Sequence, residues 1–185
     1  MLDPFANVVS SPLATPSPLS AVVIENCLVR KCLTSAGQGN DYVVLAEAAG
    51  GASVEFVDCE IEGNVGRGLY LRGAGASAVG CVVSGNSCSD SASITGLAVR
   101  LSDHATLSGC LVKDNIYQQT SNNVYSNGLG VYVESPSYLY DNIICGNYLI
   151  RSGVTYYTSQ ILGAWIGSGN QVTELCEFGD PPLGA

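Results

Sequence analysis

Glu60 and Glu62 flank Ile61, and on an extended strand that spacing aims both carboxylates at one side, about 6 to 7 Å apart. This lies near the lower edge for the carboxylate pair of an inverting glycosidase. The competing reading is a surface charge ladder shared with Arg30 and Lys113. His104 is the single histidine, next to Asp103 and close to Arg100. It is therefore the one imidazole available for proton transfer near neutral pH. No nucleophile elbow or oxyanion motif accompanies it, which favours a surface-loop histidine over Ser-His-Asp chemistry.

Arg72 and Arg100 are expected to share an outward column, with Ala46 before them and Tyr132 after. Guanidiniums stacked at rung spacing repel unless carboxylates or an anionic ligand neutralise them. Asp103 and Glu134 are the acids at hand, and an acidic sugar is the alternative. The aromatic residues add a second binding chemistry. Of ten tyrosines, eight fall between Tyr117 and Tyr157, and Trp165 follows. Tyr138 and Tyr140 share strand parity and should face outward, while Tyr132 continues the arginine column. A sugar ring can stack on such a face. Against that stand two other uses of the same rings, bracing the loops 117–127 and 148–160 or forming a protein interface.

Eight cysteines invite a disulfide or metal reading. Cys27 and Cys32 form a C-x4-C pair without a convergent second pair, so no metal site is expected, and no cofactor is implied. The sequence does not decide whether any cysteines are paired. Net charge is −9, which removes the basic footprint of nucleic-acid binding. No apolar run approaches the roughly 18 residues of a membrane span.

The elements that must position these residues are visible as a repeat. Ile24-Glu25-Asn26-Cys27-Leu28-Val29 recurs as Phe56-Val57-Asp58-Cys59-Glu60-Ile61, Ala78-Val79-Gly80-Cys81-Val82-Val83, Leu107-Ser108-Gly109-Cys110-Leu111-Val112 and Leu139-Tyr140-Asp141-Asn142-Ile143-Ile144. The steps between copies are 32, 22, 29 and 32 residues, so a constant rung is joined by loops of varying length, the mark of a solenoid. The position before the cysteine column is always Asn, Asp or Gly, residues that tolerate a left-handed backbone and so place a corner there. Two positions after it stand Val29, Ile61, Val83, Val112 and Ile144, all β-branched and suited to a buried strand face. A second corner follows at Lys31-Cys32, Gly63-Asn64, Gly85-Asn86, Asp114-Asn115 and Gly146-Asn147.

A further strand follows each loop: Val43-Val44-Leu45, Leu69-Tyr70-Leu71, Leu97-Ala98-Val99 and Leu129-Gly130-Val131, the last three introduced by Gly68, Gly96 and Gly128. Alternating apolar residues and the lack of any 3.6 period point to an all-β chain. Strands of one coil are expected to pair with the next coil rather than to hairpin with one another. The whole is then a parallel β-helix of about five coils with variable loops, over 21–170. Residues 1–20 form an extended segment or cap without the character of a signal peptide, and 171–185 a tail or cap. Cys27, Cys59, Cys81 and Cys110 stack inside as reduced, small apolar fillers, with Asn142 replacing the thiol. Asn64, Asn86, Asn115 and Asn147 stack as a ladder of side-chain amides that satisfies the turn backbone.

The I-x-N-C-x-V-x-x-N rung with a G-L-x-V strand resembles the right-handed repeats of the pectin-lyase-like superfamily. The resemblance implies a right-handed solenoid and an extracellular or cell-surface setting, which low lysine content also suits. The absence of an N-x-Ser/Thr sequon points towards a bacterial source. Lyases of that superfamily carry clustered acidic calcium ligands, and its hydrolases convergent aspartates, neither of which stands out here. The expected function is non-catalytic binding or adhesion, to a glycan or a surface protein. The alternatives are a polysaccharide lyase or hydrolase using Glu60, Glu62, Arg72, Arg100 and His104, and a scaffold self-associating through its end coils.

Overall fold

The computed structural model describes residues 20–34, 42–90, 96–119, 129–157 and 159–176. The expected terminal segments before residue 20 and after residue 176, most of the loop 117–127, and Gly128 lie outside them. Among the described residues every regular element is a strand, and the strands stack as a parallel solenoid of about 4 turns. About five coils were expected, but the first and last copies of the rung lie at exposed ends and make only partial coils.

The corners arise where the residue types demand them. Asn26, Asp58, Gly80, Gly109 and Asp141 all have φ between 50° and 64°, and Lys31, Gly63, Gly85, Asp114 and Gly146 all lie between 55° and 62°. Between these corners runs one wall of the solenoid, in which Leu28 pairs with Glu60, Glu60 with Val82, Val82 with Leu111, and Leu111 with Ile143. This is the register of the repeat, without slip. It continues to a sixth rung, Ile143 opposite Gln171, which the sequence reading missed although Gly169-Asn170-Gln171-Val172 carries the same pattern. Ile61, Val83, Val112 and Ile144 are fully buried on its inner face, each stabilising the fold by roughly 1.5–3 kcal/mol.

Both polar columns form continuous ladders at the corners. Asn64 Nδ2 donates to Asn86 Oδ1 at 2.8 Å, Asn86 to Asn115 at 2.9 Å, Asn115 to Asn147 at 2.7 Å, and Asn147 to Gln160 Oε1 at 2.8 Å. Each amide also donates to the carbonyl of the β-branched column one rung back: Val29, Ile61, Val83 and Val112. The cysteine column does the same with thiols, so it is more than apolar filling. Cys59, Cys81 and Cys110 donate to the carbonyls of Ile24, Phe56 and Ala78, while the amides of Cys27 and Cys59 donate to the next sulfur at 3.4 Å. Asn142 takes over in place, accepting from the Cys110 amide at 2.9 Å and donating to Leu107 O and Asn170 Oδ1. These stacked cysteines are unpaired. Burial pushes the Cys59 thiol up, and the hydrogen bond that Cys110 gives to Cys81, together with burial, pushes the Cys110 thiol well up.

Two expectations are corrected. The strand after each loop pairs Val44 with Leu69, Leu69 with Val99, and Val99 with Val131, so Leu97 does not lie beside Leu69. The Gly-Leu motif misplaces the register by two residues, a shift that keeps side chains on the same face. Steric fit decides it, because Gly68 faces the Ala98 carbonyl so closely that a Cβ has no room there. One hairpin also forms within a coil. Tyr148–Arg151 and Val154–Tyr156 pair antiparallel across Ser152 and Gly153, both at positive φ, as a two-residue primed turn requires.

Cys145 and Cys176 form a disulfide spanning 31 residues. It ties the end of the sixth rung to the fifth, and was not foreseen because Cys145 reads as part of an outward column with Lys113. Replacing Asn86, which is fully buried, with Leu leaves several ladder groups unsatisfied and should cost about 3 kcal/mol or more. Urea unfolding measures it, and a loss under about 0.5 kcal/mol contradicts the ladder's role. Cys176→Ser, or reduction of the parent chain, should cost about 3–4 kcal/mol by loop closure, visible as a lower thermal midpoint in the non-reduced comparison.

Candidate functional site

The second wall, built from Tyr42–Glu47, Arg67–Arg72, Val99–Ser102 and the start of Val131–Tyr140, buries Leu69, Leu71, Val99, Leu101 and Val131 inward. Strand alternation then turns Tyr70, Arg100 and Tyr132 outward as one column, since Tyr70 pairs with Arg100 and Arg100 with Tyr132. Arg72 belongs to the neighbouring column, between Glu47 and Ser102. The expected column of Ala46, Arg72, Arg100 and Tyr132 does not form: the two-residue register shift sets Arg72 and Arg100 in adjacent columns, and Ala46 stands opposite Leu71, buried in the core.

Tyr70, Arg72, Arg100 and Ser102 line an open cleft of about 370 Å³ with Asp103, Glu134 and Ser135, and Glu47 and Tyr132 stand beside it through their contacts with Arg72 and Arg100. Arg100 makes a bidentate bridge to Glu134, Nε to Oε2 at 3.1 Å and Nη2 to Oε1 at 2.6 Å. Its guanidinium lies 4.8 Å from the Tyr70 ring centre and 5.9 Å from that of Tyr132. Arg72 donates to Asp103 at 3.1 Å and to Glu47 at 3.2 Å. Tyr70 Oη meets Ser102 Oγ at 3.1 Å, and Ser135 Oγ accepts from the Asp103 amide at 2.6 Å. The turn that presents Asp103 and His104 has both at positive φ, closed by the Ala105 amide on Ser102 O. Gly96 sets Tyr132: its φ is +69°, and a Cβ there would meet Tyr132 Cβ at 2.6 Å.

Electrostatics follow from this pairing. Partial burial works against charge on Arg100, but the bonds to Glu134 and the nearby Tyr42 and Tyr70 hydroxyls outweigh it and hold its pKa above the usual value. Hydrogen bonds to Asp103 and Glu47 do the same for Arg72. Burial pushes the hydroxyl of Tyr42 up against the counter-pull of Arg67, so it stays a neutral donor to Gly96 O at 2.8 Å. Three carboxylates face two guanidiniums, and the cleft carries a slight negative excess rather than a free cation pair.

The other candidates are placed as follows. Glu60 and Glu62 do face outward together from one strand, with Arg30 opposite Glu62. They stand on the wall between the two corners, a different sheet from that of Arg72 and Arg100, whose strand Val99–Ser102 leads into the turn carrying His104, so the residues suggested for catalysis do not converge. Tyr138 and Tyr140 stack at 6.4 Å with rings 7° from parallel, and His104 lies 6.3 Å from Tyr138. This aromatic row sits past the turn from the cleft. Trp165 pairs with Ser137, which is buried, so it belongs to an inward column at the last described coil, and it is partly exposed there because no further rung follows among the described residues. Tyr148 packs on Tyr157 at 5.8 Å and Arg151 on Tyr156 at 5.0 Å, so these tyrosines brace the hairpin. Among the described residues no group of three or more His, Cys, Asp or Glu could hold a metal ion, and no helix is long and apolar enough to cross a membrane. Tyr70, Ser102 and Ser135 were not foreseen in the cleft, nor Glu47 behind Arg72; outward strand parity marks Glu47 and Tyr70, but only the register unites them.

Comparison with protein-family models, with curated proteins and with solved structures finds no match for this chain.

Because the Arg100–Glu134 pair is only half-buried, with Glu134 41% exposed, it should add little to stability. Glu134→Gln is expected to change the unfolding free energy by no more than about 1 kcal/mol, measured by urea titration; a loss several times larger would show that the pair carries part of the fold.

Proposed function

We propose that this solenoid is a non-catalytic binding module of an extracellular or cell-surface protein, and that its ligand is a glycan held in the cleft of Tyr70, Arg72 and Arg100, with the Tyr132 ring beside it. The observation that carries the reading is the cleft itself: paired guanidiniums and carboxylates already held in place on a rigid wall, beside tyrosine rings. Such groups match vicinal hydroxyls with fixed donors and acceptors, while an aromatic ring takes the apolar face of a sugar. Because the carboxylates consume the arginine charge, the class favoured is a neutral glycan rather than a uronate. The shallow, open form suits a chain lying across the surface, and preorganisation lowers the cost of holding it.

The Cys145–Cys176 disulfide supports an oxidising setting outside the cytosol. The rung sequence supports kinship with the pectin-lyase-like superfamily and, with it, right-handed winding. A lyase or hydrolase needs acid and base to meet around one bond, and the separation of Glu60 and Glu62 from the cleft speaks for binding over catalysis.

The test is a glycan array followed by calorimetry on the retained sugars. Arg100→Ala and Tyr132→Ala should each weaken binding at least about tenfold, while Tyr148→Ala leaves it unchanged. Binding lost in Tyr138→Ala or Tyr140→Ala but kept in the cleft variants would move the site to the aromatic row. Retention of no glycan, or bond cleavage that falls in Glu60→Gln, would overturn the reading.

A further inference from the structure

The N-terminal edge of the solenoid combines three features that the interior rungs do not share. Among the described residues both polar columns end there on an exposed, unpaired cysteine. The Cys27 amide donates to Cys59 Sγ and the Cys32 amide to Asn64 Oδ1, and both thiols are free and exposed, whereas Cys59, Cys81 and Cys110 are buried. The edge is also apolar. Val22, Leu28 and Leu33 are 51%, 48% and 75% exposed, and Val22 stands in the inward column above Val54 and Ala76. Finally, its charge is split: Glu25 stands on one side of the corner and Arg30 and Lys31 on the other. The strands Ala21–Glu25 and Leu28–Arg30 pair on one side alone, leaving their other backbone row open among the described residues.

We propose that this edge is the contact face of a second copy of the chain, joined to it by disulfides drawn from Cys27 and Cys32. Two copies related by a twofold axis bring their edges together antiparallel, which sets Glu25 of each against the Arg30 and Lys31 end of its mate. That is the self-complementarity an isologous contact requires, and it closes as a dimer instead of growing into a fibre. The apolar side chains are covered, and strands that end a sheet find the pairing they lack. Exposed thiols are out of place on a chain that already holds a disulfide, and cysteines left over in an oxidising setting favour pairing between chains.

The covalent step balances as ordinary exchange. A thiolate from one copy attacks a disulfide-class oxidant such as oxidised glutathione, and the mixed disulfide is then displaced by the partner's thiol. One sulfur–sulfur bond forms between chains, and two electrons and two protons reduce the oxidant to two thiols. The surface lies apart from the glycan cleft, so glycan binding can fail without touching this inference, which rests on that reading for the oxidising setting alone.

The test uses the full chain equilibrated in a glutathione redox buffer, followed by non-reducing electrophoresis, intact mass and sedimentation. The expected product is a covalent dimer of twice the 19.1 kDa chain mass, returned to monomer by reductant. It should be lost in the double variant Cys27→Ser, Cys32→Ser and kept in Cys88→Ser. Leu28→Glu, which leaves both thiols in place, should cut the dimer yield at least about tenfold by spoiling the apolar contact. Cysteines 27 and 32 remaining free, capped by glutathione, or bridged within one chain would overturn the proposal. So would a dimer that survives the double substitution, or one indifferent to Leu28→Glu, which is random cross-linking.

Discussion

A chain that winds through sharp left-handed corners in every turn frees buried backbone groups at them, and it must satisfy those groups with side chains taken from the neighbouring turn. Here the amides of Asn64, Asn86, Asn115 and Asn147 serve one corner, and the thiols of Cys59, Cys81 and Cys110, continued by Asn142 and Asn170, serve the other. Each side chain bonds both across a rung and along the stack, so a register slip at one turn would unsatisfy several groups at once. The rest of the molecule is arranged around that vertical alignment. Cysteine and asparagine are interchangeable in the column because each offers a donor and an acceptor on a short stem, which explains the replacement at Asn142 without a break.

Rigid walls make the cleft possible. Tyr70, Arg100 and Tyr132 come from three successive turns, 30 and 32 residues apart in the chain, yet stand side by side because their inner neighbours are locked into the core. Arg100 is held from two directions, by the carboxylate of Glu134 and by the aromatic rings beneath and beside it. A binding surface built this way needs little reorganisation when a ligand arrives. The ends of the solenoid obey the opposite logic. There, among the described residues, the same columns run out, and side chains destined for an interior, Val22 at one end and Trp165 and Val172 at the other, are partly exposed. An edge of this kind is a liability unless something covers it.

Much of this was legible in the residues. The first corner reads directly from Asn26, Asp58, Gly80, Gly109 and Asp141, because few residue types accept a left-handed backbone. The β-branched column and the asparagine ladder follow from the same alignment. The second wall was less transparent. Leu69 and Leu97 both follow a glycine and look equivalent, but they are two residues out of step, since the intervening loops differ in length and Gly68 must sit beneath the Ala98 carbonyl. The disulfide escaped notice because Cys145 resembles its outward neighbours and Cys176 lies beyond the last copy recognised. The Ser152-Gly153 hairpin was hidden within a long loop, where a local turn overrides the stacking pattern.

Local chemistry alone therefore determined where the chain bends, which residues point inward, and that like residues pile up along an axis. Those are properties of single positions: allowed φ, branching at Cβ, and the need to pair a buried polar group. Which outward residues become neighbours was decided only in three dimensions. It depends on the lengths of the loops and the fit of backbone against backbone, so Arg72 and Arg100 part company while Tyr70, Arg100 and Tyr132 come together. The carboxylates that neutralise the two arginines, and with them the character of the cleft, belong to that same long-range register.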